Sequence, residues 1–120
     1  MFLQSDNLFT ARGRLAKNPV INISDSGNVV TTITLAQKTP FKTEKNEYKT
    51  VFIEYVAVDT KNSSTATRLA EFNTKGSLVT LEGYHDSFSK KGEYVQVNRI
   101  SAFRNEEGKE KTEQRRNEQK

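Results

Sequence analysis

An all-β fold, a small barrel with one short helix, is what this 120-residue sequence predicts. Three observations predict it. Val, Ile, Thr, Phe and Tyr gather into short runs in which apolar and polar side chains alternate, the period of a strand with one buried face. Turns carrying Gly, Asn, Asp or Pro separate those runs, as in a sheet of short strands. Only one stretch, Asp59 to Asn73, changes to helical spacing.

The first strand is expected over Asn7 to Leu15, with Phe9, Ala11, Gly13 and Leu15 on one face. Leu8, Thr10, Arg12 and Arg14 share the other, so two arginines project outward; an ordinary solvated face is the alternative for that pair. Asn18-Pro19 stops the strand, and Val20 to Ile23 can add a short one. Asp25-Ser26-Gly27-Asn28 then reads as a hairpin turn, because Gly and Asn tolerate positive φ. Val29 to Ala36 is the next strand, with Val29, Thr31, Ile33 and Leu35 opposed to Val30, Thr32, Thr34 and Ala36, and Lys38 continuing the second row. Thr39-Pro40-Phe41 is expected to end it, since proline cannot donate in a central ladder. That leaves Lys42 to Lys49 as a polar, lysine-bearing loop.

The central strand is Thr50 to Val58, rich in β-branched and aromatic residues and free of Gly and Pro. Val51, Ile53, Tyr55 and Ala57 can fill a barrel core, while Phe52 lies beside the charged Glu54 on the opposite, wetter face. In the helical stretch, Ala66, Leu69 and Ala70 recur at helical spacing, Ser63 or Ser64 can serve as N-cap, and Gly76 can close it in the left-handed conformation. Such a short helix of small residues suits a plug on a barrel end. Leu78 to Tyr84 resumes strand alternation, and Phe88 to Tyr94 forms a hairpin tip carrying two aromatics and two lysines. Tyr94 to Phe103 closes the sheet, and a parity slip near Asn98-Arg99 predicts a bulge. Five strands with a helix between the third and fourth is the element order of an OB-fold; a meander or SH3-like barrel shares the strand count.

From Asn105 onward there is no hydrophobic residue, and five acidic and five basic side chains cancel. The net charge of +4 therefore belongs to a domain over residues 1–104, with residues 105–120 expected as a charged, flexible or marginally helical tail. The chain has no cysteine, hence no disulfide and no thiolate metal site, which fits a reducing cytoplasm. Met1 to Asp6 has neither a basic start nor a long apolar run, so no signal peptide and no membrane partner are expected.

Catalysis finds little to work with. His85 stands among Tyr84, Asp86 and Ser87, but neighbours on a strand point to opposite faces, so no triad follows. No glycine-rich phosphate loop and no metal-ligand spacing occur, and no cofactor is expected. Glu44, Glu47 and Glu54 are isolated carboxylates in a lysine-rich setting. Binding of single-stranded nucleic acid is better provided for. It needs cations that track phosphates and release counterions, and flat rings that offer faces to unpaired bases. Arg12, Arg14, Lys38, Lys42, Lys45, Lys49, Lys90 and Lys91 are the candidate cations; Phe41, Phe52 and Phe88, with Tyr84 and Tyr94, are the candidate rings. On pattern alone, a core position is an equal reading for each phenylalanine.

The segments Asn7-Leu8-Phe9-Thr10-Ala11-Arg12-Gly13-Arg14-Leu15, Ile33-Thr34-Leu35-Ala36 with Pro40-Phe41, Lys75-Gly76-Ser77-Leu78-Val79 and Leu81-Glu82-Gly83 resemble, in order and spacing, the bacterial and phage single-stranded DNA-binding proteins. The resemblance runs over about residues 6 to 104. It implies an OB-fold that assembles as a homotetramer and wraps single strands with little sequence preference, coating DNA in replication, recombination or repair. It also implies base stacking at Phe41, Phe52 and Phe88. A further aromatic common near the end of the family's third strand is replaced here by Val58, and Glu54 stands where many members carry a basic residue. Many cellular members end in a flexible linker and an acidic tip finishing in Pro-Phe that recruits repair and replication proteins; Gln114 to Lys120 is unlike it, which fits a phage, plasmid or short bacterial member. Two other functions share these features: a protein-interaction accessory factor of replication, primosome-like, and an RNA-binding OB domain.

Overall fold

A computed structural model describes residues 6–118. Six strands and two helices follow one another as β1 (Phe9–Leu15), β2 (Val20–Ile23), β3 (Val29–Lys42), β4 (Tyr48–Val58), α1 (Thr65–Phe72), β5 (Leu78–Lys90), β6 (Glu93–Asn105) and α2 (Gly108–Glu118). The sheet order is β1-β5-β6-β4-β3-β2, and a further β1–β3 pairing joins Arg14 to Ala36 and Leu15 to Leu35. That pairing closes a five-stranded barrel and leaves β2 as a flap hydrogen-bonded to the β3 edge. β4 and β6 run parallel, meeting at Val56 and Arg99, and the other pairings are antiparallel. This is the predicted OB-type barrel, with α1 between the third and fourth of the five barrel strands.

Strand parity follows the sequence. Ala11, Leu15, Ile33, Leu35, Tyr55, Ala57, Val79, Leu81 and Ile100 are buried in one cluster, with Phe9 and Ile53 packed half-buried against it. Ala66 and Leu69 of α1 are fully buried and plug the barrel end, where the Thr31 hydroxyl donates to the Ala66 carbonyl at 2.8 Å. Among the described residues no helix is long and apolar enough to cross a membrane.

Several local expectations are corrected. Pro40 does not end β3, which continues to Lys42; the β3–β4 register breaks between Lys38 and Lys42, so proline stands where the ladder asks for no N–H. β4 accordingly begins at Tyr48, and the expected loop shrinks to a turn in which Asn46 has a φ of 64°. β5 and β6 run to the hairpin tip and are joined through Lys91 and Gly92, both at positive φ, the signature of a tight two-residue turn. The bulge lies at Ser101, where Glu82 pairs with Ala102 but Gly83 with Ile100.

Ser64 occupies the α1 N-cap position without a side-chain capping bond. Asp59, reaching over from the end of β4, accepts from the Thr67 backbone N–H at 3.0 Å and from its hydroxyl, bonds that hold the Asp59 carboxyl below its usual pKa against a desolvation that raises it. Gly76 has positive φ, but it belongs to the Thr74–Ser77 turn; α1 is capped at Asn73.

Within the charged tail, Gly108–Glu118 forms the helix α2. Asn105 accepts from the Glu107 and Gly108 backbone N–H groups, a local side-chain turn that leads from β6 into α2. Thr112 is buried and donates to the Phe72 carbonyl, and Arg116 donates to the carbonyls of Ala70, Glu71 and Asn73 at the end of α1. Glu107 holds the junction. It accepts from Arg14, Arg115 and the Leu78 N–H, and chiefly its bonds to Arg115 depress its pKa from 4.5 to about 2.

Candidate nucleic-acid interface

The outer face of the barrel carries the rings. Alternation along β4 turns Val51, Ile53, Tyr55 and Ala57 inward, and so turns Thr50, Phe52 and Glu54 outward. Phe52 is 65% exposed and pairs across the ladder with Ala36, whose small side chain leaves the ring uncovered. Ala36 in turn pairs with Arg14 on β1, so Arg14, Ala36 and Phe52 form one row across three strands. Phe41, 75% exposed, lies near the end of β3, beyond the register break.

The cations divide into three groups. Arg12, Arg14 and Lys38 line an open groove of about 710 Å³ between β1 and β3, floored by Gly13 and Ala36 and reaching Thr50. Gly13 lets β1 and β3 approach closely here, because a Cβ at that position would press on the Ala36 carbonyl at 2.7 Å. Lys42, Lys45 and Lys49 surround the β3–β4 hairpin, and Lys90 and Lys91 sit at the β5–β6 tip; all are exposed. Arg14 is already engaged. Its Nη1 donates to the Gly76 carbonyl and to Glu107, each at 3.0 Å, and its side chain remains about half exposed.

The remaining rings are not gathered in one place. On the β5–β6 hairpin Phe88 pairs with Val95 and Ser89 with Tyr94, so Phe88 and Tyr94 emerge on opposite faces of the ribbon. Both are exposed. Tyr84 shares the Phe88 parity and lines a shallow depression of about 260 Å³ together with Val58 and Arg99. A ring from β5 thus stands beside the position where β4 lacks one. Glu54 is exposed next to Phe52, and its backbone carbonyl accepts from Asn98 across the β4–β6 groove at 3.0 Å.

His85 takes a structural place. Its Nδ1 lies 2.9 Å from the Asn98 carboxamide oxygen, and its ring packs 5.2 Å from that of Phe9. Among the described residues no three His, Cys, Asp or Glu side chains gather as metal ligands.

Two features escaped the sequence reading. Tyr48 is half exposed at the start of β4, with the Lys42 ammonium 5.2 Å from its ring centroid. Its parity with Phe52 was legible, but only for a strand begun two residues earlier. The ion-pair cluster of Arg14, Glu107 and Arg115 had no local signal, because Arg14 and Glu107 lie 93 residues apart.

Residues 6–102 match the model of the single-strand binding protein family. The chain belongs to that family. This family member is also similar to single-stranded DNA-binding protein 3 of Listeria innocua serovar 6a, at 37% identity over 71 residues. The match takes in 59% of this chain and 42% of the relative, so it spans less than half of that protein's length.

Proposed function

We propose that this family member is a sequence-tolerant single-stranded DNA-binding protein that coats exposed strands in replication, recombination or repair in the bacterial cytoplasm. The observation that carries the proposal is the exposure of Phe41 and Phe52 on adjoining strands, with Lys38 and Lys42 close by in the β3–β4 ladder. Large apolar rings left in water among cations contribute little to folding and suit base stacking. The name of the Listeria relative supports the same activity.

Binding proceeds by two kinds of contact. Bases leave water to stack on Phe41, Phe52 and Phe88, with Tyr84 and Tyr94 as further rings. Phosphates are tracked by Arg12, Arg14, Lys38, Lys42, Lys45, Lys49, Lys90 and Lys91, releasing condensed counterions. Every base has a π-face, so this mode is sequence-tolerant; and since the contacts serve only to hold the strand, the role is binding, not catalysis. Assembly as a homotetramer lets one strand wrap over several barrels, and other replication or recombination proteins are the expected protein partners.

Titration of labelled oligo-dT, with duplex DNA and RNA as competitors at several salt concentrations, tests the proposal. Oligo-dT is expected to bind well ahead of duplex. Equal affinity for duplex overturns it, and preferential displacement by RNA moves the function to RNA.

A further inference from the structure

We propose that Tyr48 is a further base-stacking residue, placed in line with Phe52 on β4 and carrying the strand onto the β3–β4 hairpin. The inference rests on the single-strand function above and adds a ring that neither the family resemblance nor the sequence pattern supplied. Tyr48 is the first residue of β4, it is 50% exposed, and it pairs across the ladder with Lys42. Alternation turns Tyr48, Thr50 and Phe52 to one side of the strand. Four residues of extended chain separate the two aromatic Cα atoms by roughly 13 Å. Opposite this row, Lys38 pairs with Thr50, between the two rings, and Lys42 pairs with Tyr48 itself.

The geometry depends on the break in β3. Three residues, Thr39, Pro40 and Phe41, lie between the paired Lys38 and Lys42, whereas β4 has only Lys49 between Thr50 and Tyr48. The extra length on β3 brings Lys42 into register with Tyr48 while β4 stays regular. The ammonium then lies 5.2 Å from the ring centroid, an attraction that steadies one face of the ring and leaves the other for a base. Tyr48 is not part of the core cluster, so a packing role does not explain it. The competing explanation is a residue kept only for its strand propensity, which would make no difference to binding.

Three full-length variants separate these. Tyr48→Ala is expected to lower oligo-dT affinity roughly 5- to 150-fold at fixed salt with little change in melting temperature. Tyr48→Phe is expected to keep affinity, because the ring face is what stacks. Since the chain has no tryptophan, Tyr48→Trp introduces a single indole, whose emission is expected to be quenched as oligo-dT saturates the protein. Wild-type affinity in Tyr48→Ala together with unquenched indole emission in saturated Tyr48→Trp overturns the proposal alone. A wild-type chain that ignores labelled oligo-dT overturns the single-strand function and this proposal together.

Discussion

Phe52 and Phe9 show how one residue type serves two purposes according to which side of a strand it occupies. Phe52 is on the outer row, mostly in water, whereas Phe9 packs 5.4 Å from the buried Tyr55 ring and rests on the core. Phe52→Ala and Phe41→Ala are therefore expected to leave the melting temperature nearly unchanged and to weaken oligo-dT binding by about 1–3 kcal/mol each. Phe9→Ala is expected to cost about 3 kcal/mol of stability, a large share of what a domain of this size has. Parallel thermal melts and fixed-salt titrations check both. If the Phe41 and Phe52 variants melt early yet bind normally when folded, the rings are packing elements and the stacking platform is wrong. Strand parity in the sequence put Phe9 and Phe52 on opposite kinds of face, since period-two alternation needs no tertiary information once a strand is located, but pattern alone left a core position open for each phenylalanine. Tyr48 lies beyond that reach, because the polar run Lys42 to Lys49 reads as a loop, where parity has no meaning.

Long-range contacts decide the details of each element, and there the sequence was less informative. Nothing local says that Asp59 caps α1 in place of Ser64, or that Pro40 falls where β3 needs no donor. Gly83 is a similar case. A Cβ at this position would run into the Arg99 carbonyl and press on the Phe9 ring, because the bulge at Ser101 brings β6 close to β5. Gly83→Ala is expected to fold poorly or to melt far below wild type, which soluble yield and thermal denaturation will show; a wild-type melt would mean that the bulge can relax. α2 was the least legible element, for its residues include no hydrophobic side chain to mark a buried face. It docks through Glu107, whose folded pKa of about 2 lies below the ordinary 4.5. A depressed carboxyl pKa stabilises docking fully above about pH 4.5 and loses that contribution as pH falls from there toward 2. Helix content by circular dichroism is expected to decline over that window, and Glu107→Gln is expected to have lost it already at neutral pH. Undiminished helicity in Glu107→Gln would assign the docking to Arg116 and Thr112.

At the scale of the whole molecule, charge sets how the protein meets a polyanion. Affinity for oligo-dT is expected to fall with salt at a log–log slope of about −0.7 per phosphate neutralised. Arg12→Ala is expected to make that slope shallower by about 0.7. Arg14→Ala is expected to change it less, because a phosphate must first displace Glu107 from that guanidinium. An unchanged slope in the Arg12 variant would return it to an ordinary solvated face. The barrel and α2 also hold together by different forces. The barrel buries a cluster of apolar side chains, whereas α2 is attached through ion pairs, hydroxyls and carboxamides. Exposure of apolar surface is what gives unfolding its heat-capacity increment. Detachment of α2 exposes little of it, so a calorimeter would record the barrel's transition and pass over the helix leaving, while a conductivity ramp at constant temperature would do the reverse.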